Sequence, residues 1–555
     1  MSPKVLLTSV FRPFSTNNKY NLEEGDKFLD FFSKRLSVES GLFPLHDNHP
    51  TVPLYLIAAN IDAQVTILET PTLDEYKAEL QKGYDVLGIT FYTFQLPKIM
   101  HMIAMARKFA PRTRVVIGGF GTALSNLEDL DVDGISKGEG VRFMRSFLNQ
   151  DTEAPLVHPV LTFDIRLRLA VQYPELGDHK CGIIVNGFGC PHGCDFCTTS
   201  AYYGRKHIPF IKSGAQLYAL MQHYEKAQGV RDFLIYEEDF LIYNKFVKEF
   251  IKCTKASDNN YSWGCFATVK ALSKYDLTEL VKSGLSHVWV GVESVKSPFA
   301  KSHGKPIAEI MDELNAHGIT TTGSIIAGLD HHTAKIMYEE YDHLASLHPS
   351  TVQISSLIAG PGTALRKHLK EENRLIETVD IKESTLYSET IRHPAFDPGE
   401  LKQTIFKGYE YIYQKIGPTL LRMLETWFSG YQTLHSSPDP LLNLRSQILK
   451  KRILSVRPIF YYTLDQLPNA NIRGQTQALL KELEGIFGGL DDPTTKKAEM
   501  IGRCFAAEHE RRMVEGLHIY EPDTRSYYLL SDIPDKRTPV FPSKPGNNAV
   551  LVHAL

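Results

Sequence analysis

Short β-branched apolar runs recur early in the chain, at KVLLTSV (Lys4 to Val10), AQVTILE (Ala63 to Glu69), YDVLGITFY (Tyr84 to Tyr92) and TRVVIGGF (Thr113 to Phe120). Between them, Thr72 to Lys82 and Leu96 to Phe109 carry apolar residues at helical spacing. That alternation predicts βαβ units and a parallel sheet. Pro-rich and polar residues around 153 to 178 read as a linker, after which Gly182 to Val185 is a further strand. A second α/β region follows, with strands at Asp232 to Tyr236, Ser262 to Ala267, His287 to Glu293, Thr320 to Ala327 and Thr351 to Leu357. Helices at Leu277 to Ser283 and Ile307 to Ala316 alternate with them. Beyond about 370 the texture changes to long helical patterns around 399 to 428 and 473 to 515. The chain therefore divides into 1–170, 171–370 and a mainly α-helical 371–555 that is expected to cap a substrate, and its 555 residues exceed what one core normally holds.

Composition narrows the class. Hydrophobic residues at 43% and charged residues at 23% are those of a globular protein, and a net charge of -3 gives no bias toward nucleic acid. No basic DNA-reading helix stands out. The start MSPKVLLTSVFRPF is too briefly apolar for a secretory core, and no run of about 18 apolar residues could span a bilayer. A cytoplasmic location follows as the expectation. Seven cysteines, an odd number, fit thiols that bind metal or lie buried rather than disulfides.

Three of those seven fall within eight positions, in NGFGCPHGCDFCTTS, as Cys190, Cys194 and Cys197. Chance is a poor explanation for such crowding. A structural zinc site usually takes paired C-x2-C knuckles and four protein ligands, and no second knuckle appears, although His192 or a remote residue could complete a set. Three thiolates suit an iron–sulfur cluster that leaves one iron open, with Gly187, Gly189 and Gly193 letting the loop wrap closely.

The spacing C-x3-C-x-aromatic-C, with Phe196 as the aromatic, resembles the signature of the radical S-adenosylmethionine (SAM) enzymes. The resemblance implies a partial (β/α)6 barrel in which Cys190, Cys194 and Cys197 hold a 4Fe-4S cluster, SAM chelates the open iron, and reductive cleavage gives a 5'-deoxyadenosyl radical. Later segments resemble the same barrel. IYEEDFL resembles the acidic end of its second strand, which makes Glu237 and Glu238 candidates for the SAM amino group or ribose. VWVGVES puts Glu293 and Ser294 at another strand end; GSIIAGLD resembles the strand backing the adenine, with Gly323 and Ile326; IAGPGTAL resembles the closing turn. Each acidic residue could instead be a helix N-cap, the less favoured reading.

The first region lacks G-x-G-x-x-G after its first strand, which argues against a dinucleotide site. Its YDVLGITFYTF, VVIGGFGTAL and GISKGEGVRFM resemble the Rossmann-like cobalamin-binding domain that precedes the barrel in one large subclass. The resemblance points to Thr90, Thr93, Gly118, Gly119, Gly138, Glu139 and Gly140 as the loop positions facing cobalamin, each of which could also be a plain turn or cap. Asp47 and His49 match part of the D-x-H-x-x-G pattern of carriers that ligate cobalt from below, but Val52 replaces its glycine; His49 reads as a polar loop residue.

The function so implied is cobalamin-dependent radical SAM methylation of an unactivated carbon in a small-molecule, peptide or lipid substrate. Oxidation, cyclisation or rearrangement with the same cofactors, and a non-catalytic cobalamin or Fe–S sensor, are the alternatives. An electron donor such as flavodoxin or ferredoxin is the expected partner, and no catalytic side chain is singled out.

Overall fold

The computed structural model describes residues 2–11, 41–43, 45–47, 49–167, 179–257, 261–296, 304–376, 388–515 and 525–527. The early strands are β1 (Lys4–Thr8), β2 (Leu45–Asp47), β3 (Gln64–Glu69), β4 (Val86–Thr90), β5 (Arg114–Gly118) and β6 (Gly134–Ile135). Next come β7 (Leu161–Leu167), β8 (His179–Val185), β9 (Gly187–Phe188) and β10 (Ile208–Pro209). The chain then runs through β11 (Asp232–Tyr236), β12 (Ser262–Ala267), β13 (Leu285–Glu293), β14 (Thr320–Ala327) and β15 (Thr351–Ser356), with β16 (Arg525–Tyr527) far downstream.

One sheet has the order β16-β3-β1-β4-β5-β6, parallel except for β16, which runs against β3. Its central strand β1 shows why it is covered on both faces. Val5 and Leu7 pack with Leu54, Tyr55 and Ile67, whereas Leu6 packs on the opposite face with Leu87, Ile99 and Ile117. Two-residue periodicity thus divides one apolar run between two cores, as a parallel sheet flanked by helices requires. Thr72 starts the helix Leu73–Leu80 with a reciprocal capping box to Glu75.

The other sheet has the order β15-β14-β13-β12-β11-β8-β7-β2 and is parallel from β8 to β15. At its far edge β7 and β2 are antiparallel. The segment read as a linker therefore contributes a strand. Leu161 and Phe163 alternate into the core beside Cys181 and Ile183, and this is the same core that holds Val5 and Leu54. A shared core fixes the two sheets against each other, so their loops meet in one place.

The longer helices after residue 399 are Glu400–Ile416, Thr419–Leu434, Pro440–Val456, Ala470–Phe487 and Asp492–Glu515, with the one-turn helix Pro458–Tyr461 among them. The first closes the barrel's outer ring, with the Tyr409 hydroxyl accepting from Ile354 N at 2.9 Å. The next two dock on the amino-terminal ends of the barrel strands. Arg422 donates to Pro349 O ahead of β15 (2.9 Å), Arg445 to Tyr261 O ahead of β12 (2.6 Å), and Arg452 to Asp232 at the start of β11 (2.7 Å). The expected substrate cap is therefore not formed by these two helices, which sit at the end opposite the cysteine loop. Residues 374–376 and 388–396 instead lie by the carboxyl end, where the His393 ring meets Leu329 O at 2.9 Å and Thr390 accepts from Ala359 N. No helix among the described residues is long and apolar enough to cross a membrane.

Candidate functional site

The cysteine loop leaves β8 at the carboxyl end of the barrel. Gly189 and Gly193 have φ of +80° and +70°, and a Cβ on Gly189 would lie 2.2 Å from Lys206 O. Those two turns need glycine. Ser200 stitches the loop together, its hydroxyl accepting from Gly193 N and donating to Cys190 O, both at 3.1 Å. Cys197 N donates to Cys194 O at 3.0 Å, and the Cys197 sulfur caps the helix Thr198–Tyr202. Cys190 is buried and the other two thiols are half-buried. Burial, reinforced by the carboxylates of Glu238 and Asp239, pushes the Cys190 thiol up to about 12. Thiolate at neutral pH there requires a bound cationic centre. Among the described residues, the three thiols are not gathered within 4.8 Å as ligands of one ion would be. The donor set, three sulfurs on one glycine-hinged loop, fits a cluster better than a single zinc.

Carboxylates stand at the adjoining strand ends. Glu237, 4% exposed, accepts from Asn186 (3.1 Å) and pairs with His207 (2.9 Å), while its Oε1 and Asn186 Oδ1 are buried without a partner. Such orphaned acceptors mark a place where a donor belongs. Glu238, next in the chain, is exposed. Asp239 is buried and ties His192 of the cysteine loop (2.7 Å) to Thr268 beyond β12 (2.8 Å). His192, read from the sequence as a possible zinc ligand, thus pairs with Asp239 instead, and Asn186, His207 and Asp239 join the site although no motif names them; their signal is adjacency to the cysteines and to Glu237.

Glu293 is buried with φ +67°, a conformation that costs a side-chain-bearing residue of order 1 kcal/mol. It follows a register shift between β13 and β14. Ser294 is held by Glu340, whose carboxylate accepts from Ser294 Oγ at 2.5 Å and Val295 N at 2.8 Å. His331, His332 and Glu340 have donor atoms within 4.8 Å of one another, the spacing of a metal site. His332 Nδ1, however, accepts from Gly328 N and Leu329 N (3.1 and 3.2 Å), so its Nε2 carries the proton and faces Glu340. The trio orders the loop after β13.

Inside the barrel, alternate residues form a polar and aromatic lumen. Trp289 stacks on Phe266 at 5.1 Å and donates to Ser324, which approaches Gln353 at 3.4 Å. Two residues on, Ile326 shares the Ser324 face by the two-residue period. Gly323 faces the other way, where a Cβ would meet Leu344 at 2.9 Å and Pro349 at 3.2 Å. Close helix packing accounts for that glycine. Phe196 is half-buried in the cysteine loop.

In the first domain, Thr90, Gly118, Gly119, Gly138, Glu139 and Gly140 line one cavity of about 120 Å³. Its inner wall is apolar, with Leu7, Gly88, Leu54, Ile57, Val116 and Met144. A Cβ on Gly88 would lie 2.8 Å from Leu7 Cδ2, and one on Gly119 (φ +91°) 2.7 Å from Phe91 O, so the wall and mouth depend on bare backbone. An apolar slot with glycine lips fits an aromatic nucleotide tail entering beside a sheet. Glu139 also caps the helix Gly140–Phe147, accepting from Val141 N and Arg142 N at 2.5 and 3.0 Å. Thr93 starts a short 3-10 turn and does not line the cavity. His49 lies elsewhere, stacked 4.0 Å from Phe163 with Nδ1 2.8 Å from the Tyr236 hydroxyl. The cavity's outer wall is Phe188, Tyr202 and Tyr203, all from the cysteine-loop region.

Residues 184–344, which hold this loop and the strand ends at Glu237, Glu293 and Ile326, match the Radical SAM superfamily. That stretch is a radical SAM domain. The parallel sheet ahead of that barrel resembles the layout of the cobalamin-binding radical SAM enzymes. A 4Fe-4S cluster and SAM are the cofactors of the superfamily. Bacteriochlorophyllide d C-8(2)-methyltransferase of Chlorobaculum tepidum is 22% identical over 74% of this chain and 95% of its own length. Bacteriochlorophyllide d C-12(1)-methyltransferase of the same organism is 24% identical over 56% of this chain and 71% of its own. Among solved structures, the radical SAM methyltransferase TsrM of Kitasatospora setae, determined with cobalamin and a 4Fe-4S cluster, shares the fold. Its TM-score is 0.51 at 15% identity, covering 81% of this chain and 99% of that one.

Proposed function

We propose that this radical SAM protein is a cobalamin-dependent methyltransferase acting on an unactivated carbon of a small-molecule, peptide or lipid substrate. The observation that carries the reading is the cavity whose inner wall belongs to the first sheet and whose outer wall, Tyr202 and Tyr203, follows directly on the cysteine loop. A methyl-carrying corrin in that position and a cluster with SAM in the barrel would supply, respectively, a methyl group and a hydrogen-abstracting radical. Cys190, Cys194 and Cys197 would hold the cluster. Glu238, exposed beside the loop, would accept from the SAM amino group, and buried Glu293 and Ser294 would fix the far side of the nucleoside. Ile326 would pack on the adenine, with Phe196 beside the cluster, and the loops at Thr90, Gly118, Gly119, Gly138 and Gly140 would receive cobalamin. Trp289 and Phe266 narrow the lumen and would limit water around a reactive carbon. Methylation is favoured over oxidation, cyclisation or rearrangement by the named relatives, both methyltransferases.

The reading also needs a one-electron donor such as flavodoxin or ferredoxin. Anaerobic reconstitution followed by incubation with SAM, reductant, cobalamin and lysate metabolites tests it. One metabolite should gain the mass of a methylene unit as 5'-deoxyadenosine accumulates. Zinc in place of iron, or no 5'-deoxyadenosine, would sink the reading.

A further inference from the structure

The Tyr202 hydroxyl sits where the loops of the first sheet converge. It accepts from Gly138 N at 2.8 Å and lies 2.7 Å from Thr122 Oγ1, 3.2 Å from Gly119 O and 3.4 Å from Ser136 O. Gly119 and Gly138 belong to the loops after β5 and β6, which form the mouth of the cavity, and both have positive φ. Thr122, 1% exposed, completes the knot by donating to Gly119 O (2.8 Å) or Ser136 O (3.0 Å). The Tyr202 ring lies 5.2 Å from Phe120, which also lines the cavity.

Tyr202 itself is not part of the first domain. It ends the five-residue helix that begins just after Cys197, whose sulfur accepts from Ser200 N, and Ser200 in turn holds Cys190 O and Gly193 N. One rigid turn and a half therefore separates a thiol of the cysteine loop from the hydroxyl that registers both glycine loops. A helix this short is marginal alone and takes its order from its ends. Fixing the cysteine end fixes the tyrosine end.

We infer that Tyr202 is a positioning residue that couples the two cofactor sites: occupancy of the cysteine loop by its cluster raises the affinity of the first-domain cavity for cobalamin through the Tyr202 hydroxyl. The inference rests on the cobalamin reading of that cavity. Because coupling of binding free energies is reciprocal, cobalamin also strengthens retention of the cluster. A protein without its cluster then holds cobalamin weakly, and one without cobalamin holds its cluster weakly.

The test is equilibrium dialysis of hydroxocobalamin against full-length protein, cluster-loaded and iron-free, under anaerobic conditions. Wild-type protein should bind about tenfold more tightly when loaded, within the usual span of coupling between sites. Tyr202→Phe should keep its iron content and melting temperature, bind hydroxocobalamin with the weaker affinity in both states, and lose the cluster dependence. A purely structural tyrosine would weaken both states equally and leave the ratio intact. Thr122→Val, on the first-domain side of the same knot, provides a second route and should be non-additive with Tyr202→Phe. Equal affinity of loaded and iron-free wild type, or a ratio that survives in Tyr202→Phe and in Thr122→Val, overturns the coupling. Failure of wild-type protein to bind hydroxocobalamin in either state would instead remove the cobalamin reading itself.

Discussion

The two ends of the barrel are built to opposite rules. At the amino-terminal end, Gly430 lets the helix Thr419–Leu434 touch the backbone of the turn at Gly318, and buried Arg422 and Arg445 each donate to the carbonyl of a residue leading into a strand. At the carboxyl end, Glu237 and Asn186 keep acceptors buried without donors, Glu293 holds a left-handed backbone, and Cys190 lies among carboxylates. One end ties its buried arginines to the chain's own carbonyls; the other gathers buried carboxylate and amide acceptors beside the cysteine loop. The difference teaches where stability and chemistry have been separated, and it is open to direct attack.

Cys194→Ala should have the largest effect. Two thiolates cannot retain the cubane, so iron–sulfur absorbance and SAM cleavage should vanish while the melting temperature stays within a few degrees of wild type. Full iron content and cleavage in this variant would end the cluster assignment. Gly119→Trp should abolish corrin binding, since any side chain there is strained at φ +91° and meets Phe91 O and Thr90 at 2.7 Å. Iron content and slow release of 5'-deoxyadenosine should survive, measured on the same preparation. Normal corrin occupancy would move the first domain toward a substrate-binding or interaction role.

At the opposite end, Gly430→Ala should act on stability alone. Its Cβ would stand 2.3 Å from Gly318 Cα, and backbone cannot swing aside; a loss of about 2–3 kcal/mol in denaturant unfolding is expected, with SAM cleavage per folded molecule unchanged. The neighbouring acids sharpen the comparison within one end. Glu238→Gln should weaken SAM binding about tenfold at constant melting temperature, whereas Glu237→Gln should lower the melting temperature by disturbing His207 and Asn186. If both behave alike, the exposed and buried carboxylates do not divide their roles as argued.

The last effect is one of pH. Burial lowers His158 to about 4, and the neutral ring takes Val185 N–H on Nε2 (2.8 Å) while Nδ1 donates to Pro159 O (2.7 Å). The unfolded chain binds this proton near pH 6.5, the folded one near 4, so the contribution is complete above about 6.5 and is lost as pH falls toward 4. Melting temperature should decline over that window, and less steeply in His158→Gln. An identical decline in the variant would assign the acid sensitivity to other groups.

Much of this was already legible in local pattern. Apolar periodicity predicted β11, β12 and β14 of the barrel sheet and the helices Leu96–Phe109, Leu277–Ser283 and Ile307–Ala316 to the residue, because a strand or helix buried by its neighbours must carry that period. The cysteine loop was equally plain, since cluster ligands close in sequence need no long-range contact to be recognised. Less was visible wherever a residue's meaning depends on what lies opposite. Gly323 reads as a cofactor glycine until Leu344 and Pro349 are seen against it, and Leu161–Leu167 reads as linker until β8 pairs with it. The helices Thr419–Leu434 and Pro440–Val456 suggest a cover until their arginines are found at the far end of the strands.

What the sequence by itself determined, then, were the elements and the three thiols, through short-range periodicity and spacing. Only the tertiary structure decided that Tyr202 should leave the cysteine loop and meet Gly119 and Gly138, because that contact joins positions 83 and 64 residues apart through a core shared by two sheets. No local pattern encodes such a meeting; it follows from how the sheets pack.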